Sequence, residues 1–390
     1  MSADHAMLHE IAHDPDGRKD TLAAYYYTDQ KVMEAEVNDL LYNSWQFVCH
    51  VSDIAEPKDF YAFSLQGQEY FLTRTTDGDL KGYHNVCPHR GHRLVNGSGR
   101  KSVITCPYHA WTFGLDGNLR GARGVDRKAS PERHQLIPIR VDVLLGLVFV
   151  SANPDIQPLA DYAPGMAAQM LRACPDLADY VVNRDGAEFG HTYLCDANWK
   201  IMLDNYLECY HCQMAHPEFN EMMDIGSSTF SMFPNYTYQN APTRMKADNA
   251  AFPLDLDHDV LVGEFWWMFP NIVFGQFPGT RNFYVSRFDP LEPGRTSRYT
   301  LSLKPKEPTD PGAAERERLR SIWTTTVVSV EDKELCENVQ RGMNQRGFKN
   351  GWYVNDPGDH GISEHAMRHF HDLYRAWADK AGNRRQGETL

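Results

Sequence analysis

Apolar and polar residues alternate in several short stretches of the first part of the chain. These stretches cover residues 46–75, 102–105, 111–118 and 144–151. Turn-forming residues separate the apolar runs, among them Gly67-Gln68, Asp77-Gly78-Asp79 and Asp116-Gly117. A period of two residues between such turns is typical of short antiparallel strands. The pattern predicts a small antiparallel β domain over about residues 43–153.

The spacing of apolar residues becomes helical beyond Pro158. Helical spacing is found in residues 167–171, 198–214 and 314–341, and a strand-rich aromatic block at 264–303 interrupts it. This mixture predicts an α+β domain over residues 154–390, with an antiparallel sheet covered by helices. We expect residues 1–42 to pack on this larger domain, and the proline-rich stretch 304–312 to be a surface connection.

Composition and charge narrow the possible functions. The 390 residues are 42% apolar, which suits one large or two modest domains. The net charge of −13 opposes a phosphate backbone, so a nucleic-acid partner is not expected. The longest nearly uninterrupted apolar run, 143–150, is far shorter than the ~20 residues of a membrane span. With no secretory signal pattern at the N-terminus, we expect a soluble cytoplasmic protein that does not bind membranes.

The clearest chemical motif lies in the β domain. Cys87-Pro88-His89 is followed by Cys106-Pro107-Tyr108-His109, so that two short loops each offer one thiolate and one imidazole. A [2Fe–2S] cluster of the Rieske type takes two Cys on one iron and two His on the other, and each loop can supply one ligand to each iron. A structural Cys2His2 zinc site is the alternative. His84 and His92 lie nearby without this pairing.

A second set of chemical residues follows Asn198. Asp204, Glu208 and His211 form a polar row beside an apolar helical stripe that contains Trp199, Leu203, Tyr206 and Tyr210. His211 and His216, the latter followed by Pro217, suit two ligands of a non-haem Fe(II) facial triad. Because the two His would be about 140° apart on a helix, its last turn must loosen. Cys209-x-x-Cys212 could instead be a redox or zinc pair.

The predicted helix 314–341 offers the third ligand, a carboxylate. Asp332 shares an apolar face with Val328, Leu335, Cys336 and Val339, whereas Glu331, Glu334, Asn338 and Arg341 form a separate polar face. An acid on a buried face is costly unless it is paired or binds a metal. Asp332 is therefore the expected metal ligand, and Glu337 and Gln340 are candidates to support the ligands.

These motifs together resemble the oxygenase (alpha) subunit of the Rieske non-haem iron oxygenases. The resemblance rests on CPHRGH with CPYHAW, on NWK with DNYLECYH and HP, and on VEDKELCENVQRG, and it covers about residues 40–345. CPYHAWTF, DNYLECYHC and the closing RGF and GISEH are similar to the branch that acts on quaternary ammonium compounds, such as the carnitine, choline and glycine betaine monooxygenases.

The resemblance implies a role for each candidate residue. Residues 43–153 would be the Rieske domain, with Cys87, His89, Cys106 and His109 holding the cluster. Residues 154–390 would be the catalytic domain, with His211, His216 and Asp332 holding a mononuclear Fe(II). Asp204 and Glu208 are the candidate catalytic acids. Glu208 falls where the family has the acid that links His211 to His109 of the neighbouring subunit in a homotrimer.

The resemblance also implies the reaction and its partners. A separate NAD(P)H-dependent flavin and iron–sulfur reductase would supply electrons, and O2 and a small substrate would meet at the iron. We find no GxGxxG, phosphate loop or Ser/His/Asp arrangement that would place NAD(P)H or flavin on this chain. The expected reaction is hydroxylation, followed by C–N cleavage or N-demethylation if the carbon is bound to nitrogen.

The aromatic block at 264–277 is the expected pocket wall. Alternation puts Phe265, Trp267 and Phe269 on one face and Trp266 and Met268 on the other, so only one set can line a cavity. Such rings suit a quaternary ammonium by cation–π attraction, but they also suit an aromatic acid that would be hydroxylated or dihydroxylated. A Rieske electron carrier without catalysis and a zinc-stabilised binding protein remain alternatives of other classes.

Overall fold

The computed structural model describes residues 20–125, 134–184, 191–354 and 362–387. Within these ranges the chain divides into two compact units, a smaller one of Leu41–Leu159 and a larger one that combines residues up to Leu40 with those from Ala160. In this described part, no helix combines the length and apolar character needed to cross a membrane.

The smaller unit is built from antiparallel strands. They are β1 Gln46–His50, β2 Asp59–Leu65, β3 Gln68–Arg74, β4 Leu80–His84, β5 Ser98–Arg100, β6 Ile104–Thr105, β7 Thr112–Phe113, β8 Leu119–Gly121, β9 Pro138–Leu144 and β10 Leu147–Ser151. Seven form one sheet in the order β1-β10-β9-β4-β3-β2-β5, and β6, β7 and β8 form a second, three-stranded sheet. The cluster loops precede β5 and β7.

Tight turns set the register of the hairpins in this unit. Gln66 and Gly67 have φ of 46° and 75° between β2 and β3, and Leu145 and Gly146 have φ of 48° and 85° between β9 and β10. Two successive residues with positive φ match the right-handed twist of the strands that they join. The first turn lies one residue earlier than the sequence predicts.

The larger unit combines helices with one antiparallel sheet. The helices are α1 Tyr25–Thr28, α2 Gln30–Ala35, α3 Leu159–Tyr162, α4 Met166–Ala173, α5 Trp199–Tyr206, α6 Cys212–Ala215, α7 Pro217–Met222, α8 Ala313–Trp323, α9 Ser329–Met343 and α10 His365–Gly387. The strands are β11 Val181–Val182, β12 His191–Cys195, β13 Thr229–Phe233, β14 Tyr236–Pro242, β15 Val262–Met268, β16 Ile272–Gln276, β17 Phe283–Glu292 and β18 Arg295–Lys304. The sheet order is β11-β18-β17-β16-β15-β14-β13, and β12 also pairs with β18. The predicted α+β class is confirmed.

The core of the larger unit lies between one face of this sheet and the helices. Trp267 on β15 packs against Phe370 of α10, with 5.4 Å between ring centroids. Trp199 on α5 lies 5.8 Å from the same ring. Trp199 and Trp267 have no exposed surface. This packing presents the C-terminal end of α5 to the sheet.

Two predicted helices differ from their predicted form. The helix predicted over 198–214 is wrong beyond Tyr206, where α5 ends. The predicted stripe therefore stops early, and Tyr210 is 51% exposed. The helix predicted over 314–341 is interrupted by a π-helical turn, Thr324–Val328, between α8 and α9. Such turns insert a residue into the helical ladder and recur at functional sites.

Candidate active site and metal centres

Two similar loops in the smaller unit carry the Cys and His pairs. Gly91 donates its N–H to the carbonyl of Cys87 at 2.9 Å, and Ala110 donates to that of Cys106 at 3.0 Å. Both donors have positive φ, 72° at Gly91 and 58° at Ala110. The backbone N–H of Cys87 donates to the carbonyl of His92, and that of Cys106 donates to the carbonyl of Trp111, both at 2.8 Å. Each loop is thereby closed on its own cysteine.

The four side chains of these loops differ in exposure. Cys87 and Cys106 are each 2% exposed, whereas His89 and His109 are exposed, with 4.7 Å between their ring centroids. Trp111 stacks on His89 at 4.8 Å. Two buried thiols and two outer imidazoles suit a two-iron cluster in which each iron takes one kind of ligand.

The zinc alternative needs four donors around one ion. Over the described ranges, the one group of three or more metal-binding side chains close enough for a single ion is His211, His216 and Asp332. The Cys and His pairs of the loops are not such a group, so the geometry favours a cluster over a single zinc. His84 is half-buried against Tyr70, 4.9 Å between centroids, and neither it nor the exposed His92 joins the set.

The second metal site forms where α5 gives way to a turn. His211 lies immediately before α6, and His216 lies at the junction of α6 and α7. Pro217 takes the first position of α7, where its missing N–H costs no helical hydrogen bond. The two His are therefore not on one continuous helix. The helix predicted to loosen only in its last turn ends earlier, at Tyr206.

Glu208 shapes the turn that carries His211. Its Oε2 accepts the N–H of Tyr210 at 2.5 Å and of His211 at 3.2 Å. Its Oε1 lies 2.5 Å from Nδ1 of His211. Such side-chain bonds compete with the helical ladder and favour a turn. A disulfide between Cys209 and Cys212 spans the same turn.

His211, His216 and Asp332 converge on one point. One ligand atom from each lies within 4.8 Å of the others. Asp332 Oδ1 is 3.0 Å from His216 Nε2 and 3.7 Å from His211 Nε2. A glutamate holds each Nδ1, Glu208 at His211 and Glu331 at His216, the latter at 2.7 Å. Both Nε2 atoms are left for a shared ion, and two imidazoles with one carboxylate fit Fe(II).

The charges of this site favour a cation at its centre. Burial lowers the pKa of His211, but Asp332 and Glu208 outweigh burial and raise the pKa to about 10. Burial is likewise outweighed at His216, whose pKa is raised by Asp332 and Glu331. Burial acts to raise the pKa of Asp332, yet the two imidazoles hold it well below its usual range. The carboxylates outnumber the imidazoles, and a bound cation would balance them.

The structure corrects the assignment of Glu331 to a separate solvent face. Its carboxylate contacts His216 Nδ1, although Val339, predicted on the buried face, is 45% exposed. The buried line of α9 runs through Cys336 and Gln340, which are 3% and 5% exposed. Asp332 lies at the edge of this line, so Glu331, one residue away, still reaches the site. In the sequence, the position of Glu331 next to Asp332 was the one indication that it could contact a metal-binding histidine.

The structure gives other partners to Gln340 and Glu337, which were predicted to support the ligands, and to Asp204, which was predicted as a catalytic acid. Gln340 accepts the N–H of Asn198 at 2.8 Å and Glu337 accepts that of Asp196 at 3.2 Å, so both anchor the start of α5. Asp204 accepts from Tyr27 at 2.7 Å and pairs with His371 at 2.8 Å. Asp204 is not among the residues that line the cavity over the three ligands.

A cavity of about 240 Å³ opens over the three ligands. One wall is the sheet face that carries Phe265, one of the two faces between which the alternation could not choose, with rings from neighbouring strands that the sequence did not indicate. Trp267 and Phe269 belong to the core rather than to the cavity. The opposite wall includes Thr324 and Val328 of the π-helical turn. Asn205 also lines the cavity, and its amide lies 3.3 Å from Nε2 of His211.

Two family models match the chain. Residues 44–136 match the Rieske [2Fe-2S] domain. Residues 182–380 match the ring hydroxylating alpha subunit (catalytic domain). The first match contains all four cluster candidates, and the second contains the three convergent metal-binding side chains.

Similar proteins span nearly the same length. The carnitine monooxygenase oxygenase subunit of Escherichia coli (strain K12) is 36% identical over 358 residues, covering 90% of this chain and 92% of that protein. The chloroplastic choline monooxygenase of Spinacia oleracea is 27% identical and covers 89% and 75%. A crystal structure of a quaternary ammonium Rieske monooxygenase in complex with L-carnitine has a TM-score of 0.76 at 31% identity, over 94% of this chain and 98% of that one.

Proposed function

Since this chain belongs to the Rieske non-haem iron oxygenases, as an oxygenase (alpha) subunit, we propose that it hydroxylates a trialkylammonium compound at a carbon next to nitrogen. The product then breaks at the C–N bond. The observation that carries this proposal is the aromatic wall of the cavity over His211, His216 and Asp332. The relatives named for carnitine and choline support the same substrate class.

The rings of the cavity suit a bulky cation. Phe265 and Phe277 meet edge to face at 5.3 Å, and Phe277 stacks on Tyr284 at 5.7 Å. Tyr206 and Phe230 complete the aromatic lining. A quaternary ammonium cannot donate a hydrogen bond, and the faces of such rings bind it with up to about 2 kcal/mol each when water is excluded.

We assign the metal-binding roles as follows. Cys87, His89, Cys106 and His109 would hold the cluster, and His211, His216 and Asp332 would hold the iron, with Glu208 and Glu331 orienting the two imidazoles. The cluster supplies electrons and the iron supplies open positions for O2 beside the substrate. The chain's own task is to place the substrate against those positions and to exclude water from them.

Glu208 has a further role in the proposal, between subunits. It is 11% exposed and already bonded to His211, while His109 is exposed and able to meet another subunit. We infer a homotrimer in which Glu208 links His211 to His109 of the neighbouring subunit. We also infer a separate NAD(P)H-dependent flavin and iron–sulfur reductase as the electron donor.

Substrate-dependent O2 uptake tests the reaction class. Purified protein with a class-matched reductase would be assayed against carnitine, choline, glycine betaine and benzoate, with iron counted in the same sample. We expect about three irons per chain, two in the cluster and one at the triad. We expect O2 uptake with the ammonium compounds and release of both an aldehyde and a tertiary amine. Uptake with benzoate alone would show an aromatic-acid oxygenase, and about two irons without uptake would show an electron carrier.

Glu208→Gln tests the role of Glu208 between subunits. Glu208 uses Oε2 for the two N–H groups of the turn and Oε1 for His211 Nδ1, and the single amide oxygen of the variant can keep one of these sets. The cluster residues and the three metal ligands are unchanged, so the variant should keep about three irons and a reducible cluster. We expect product formation to fall at least ~10-fold, or ~1.4 kcal/mol on the limiting barrier. In a single turnover, a pre-reduced variant that forms product as fast as wild type would show that Glu208 only shapes the turn.

A further inference from the structure

Arg298 is the only Lys or Arg among the residues of the structure that line the cavity. It lies on β18, opposite Phe288 of β17 and Tyr193 of β12 in the register of the sheet. Its side chain is half-buried, and its guanidinium carbon lies 5.6 Å from the centroid of Phe288. The cavity therefore has one fixed positive charge, and that charge belongs to the sheet wall.

The guanidinium of Arg298 has no acidic partner within 4.0 Å among the residues that the structure describes. Its one polar contact with a side chain of the described ranges is from Nε to Oγ of Ser286, at 3.2 Å. Ser286 is fully buried and is held in turn by Thr300, 2.8 Å between the hydroxyl oxygens. Arginine has five N–H donors, and this contact uses one of them. The other four remain for a ligand in the cavity.

Other buried arginines of the same unit are paired with acids. Arg287, Arg316 and Arg320 bind Asp289, Asp259 and Glu317 at 2.8, 3.0 and 2.8 Å. A guanidinium that leaves water without a counter-ion is costly, so such pairing is the rule. Arg298 departs from the rule at the one place where a ligand could provide the missing anion.

The cavity offers a site for each end of a zwitterion. Asp332 and Glu208 are engaged with the imidazoles of the metal site, so the aromatic rings remain for an ammonium group and Arg298, on the sheet, remains for an anion. A substrate with a cationic end and an anionic end matches this arrangement. Carboxylate fits a guanidinium best, since two parallel N–H groups can bind its two oxygens.

We propose that Arg298 binds the carboxylate of the substrate, so that this oxygenase acts on betaine-type trialkylammonium carboxylates rather than on choline-type alcohols. This inference rests on the proposed function for the ammonium end. Ser286 orients the guanidinium through Nε and leaves the terminal N–H groups to the substrate. Arg298 is thus a residue for specificity, and it takes no part in holding either metal.

Binding to the oxidised holoenzyme tests the proposal without turnover. Calorimetry would compare 4-(trimethylammonio)butanoate with its methyl ester, which keeps the ammonium and loses the negative charge. Wild type should bind the acid at least about 10-fold more tightly than the ester, the value of a charged hydrogen bond. Arg298→Gln should weaken binding of the acid by a similar factor and leave that of the ester nearly unchanged. Arg298→Lys should retain part of the preference.

Arg295→Gln is the matched control, because Arg295 lies on the same strand with its side chain 44% exposed and 3.6 Å from Asp196. It should bind both ligands as wild type does. Thermal unfolding and iron content of each variant would show that the fold and both metal sites persist. Equal affinity for acid and ester in wild type, or equal losses for both in Arg298→Gln, would overturn the proposal.

Failure of the inference and failure of the proposed function give different results. Turnover of trialkylammonium compounds regardless of a carboxylate would leave the function standing and remove the role of Arg298. Binding and turnover of benzoate alone, lost in Arg298→Gln, would leave Arg298 as the carboxylate site and overturn the ammonium substrate. If Arg298→Gln does not fold, the ratio of the affinities for the acid and for the ester still tests the role of Arg298. This ratio should be high in wild type and lower in Arg298→Lys.

Discussion

Glu331 contacts the imidazole of His216 at Nδ1, whereas Asp332 contacts the same ring at Nε2. The Oε2 of Glu331 lies 2.7 Å from Nδ1 of the imidazole. The other ring nitrogen, Nε2, is left for an ion shared with His211 and Asp332. Carboxylates in this position fix the ring and raise its basicity, and their loss typically costs 10–100-fold in metal affinity. We expect Glu331→Ala to weaken Fe(II) binding at the triad by about 10-fold or more while the cluster spectrum is unchanged. The affinity would be measured by titrating Fe(II) into protein that keeps its cluster but has lost the metal from His211, His216 and Asp332.

Glu334→Ala is the control for this prediction, since Glu334 is an exposed acid on the same helix. It should bind iron as wild type does. Glu331→Gln should fall between wild type and Glu331→Ala, because an amide oxygen still accepts the Nδ1–H. Full iron affinity in Glu331→Ala would mean that the contact with His216 has no part in holding the metal.

At the scale of elements, β16 shapes the cavity through a residue without a side chain. A Cβ at Gly275 would lie 2.5 Å from the ring of Tyr284, which lines the cavity. Overpacking of this kind typically costs 1–3 kcal/mol or moves the neighbour. We expect Gly275→Ala to displace Tyr284 and to raise the KM for substrate by about 10-fold, with a modest loss in Tm. Steady-state O2 uptake would give the KM.

Gly342→Ala provides the contrast. Gly342 lies in α9, and a Cβ there would meet nothing within 4 Å. Alanine is favoured over glycine in a helix by up to about 1 kcal/mol, so this variant should raise Tm and leave KM unchanged. An unchanged KM in Gly275→Ala would show that the Tyr284 ring moves without consequence for the substrate.

At the scale of the whole molecule, a buried ion pair joins the N-terminal segment to α5. Lys200 Nζ lies 2.6 Å from Glu36 Oε1, and neither side chain has exposed surface. Glu36 also accepts from Trp199 Nε1 at 2.9 Å and from the Tyr374 hydroxyl. Removing one partner of such a pair leaves a buried charge and typically costs 3–5 kcal/mol. Glu36→Gln should lower the free energy of unfolding by about that amount in urea denaturation.

The double variant Glu36→Gln with Lys200→Met tests the cause. The amide at position 36 can accept from Trp199 through its oxygen and donate to the Tyr374 hydroxyl oxygen through its NH2 group, and the buried charge is gone, so most of the loss should be recovered. Glu315→Gln removes the partner of Arg318 in an exposed pair and should leave the free energy of unfolding nearly unchanged. If the double variant is as unstable as Glu36→Gln, packing rather than charge explains the loss.

The sequence by itself determined the features that depend on residues close together along the chain. Cys87 with His89 and Cys106 with His109 lie in two short loops, so their spacing alone indicated the cluster, and the family matches confirm a Rieske domain and the catalytic domain. Alternation predicted the antiparallel β domain, and together with helical spacing it predicted the α+β class. Asp332 was found from helical periodicity because an acid beside apolar neighbours is conspicuous, and it does lie with His211 and His216.

Only the tertiary structure decided which distant residues meet. Glu331 and His216 are 115 positions apart, and periodicity alone placed Glu331 in solvent because it describes one helix without its neighbours. The end of α5 at Tyr206 depends on side-chain bonds of Glu208 that no apolar pattern records. Arg298 resembles any arginine on an amphipathic strand until the sheet places it at the cavity, where no acid of the described ranges lies within 4.0 Å of its guanidinium. Local periodicity determines which residues share a face of a helix or strand. What that face contacts depends on how distant parts of the chain pack together.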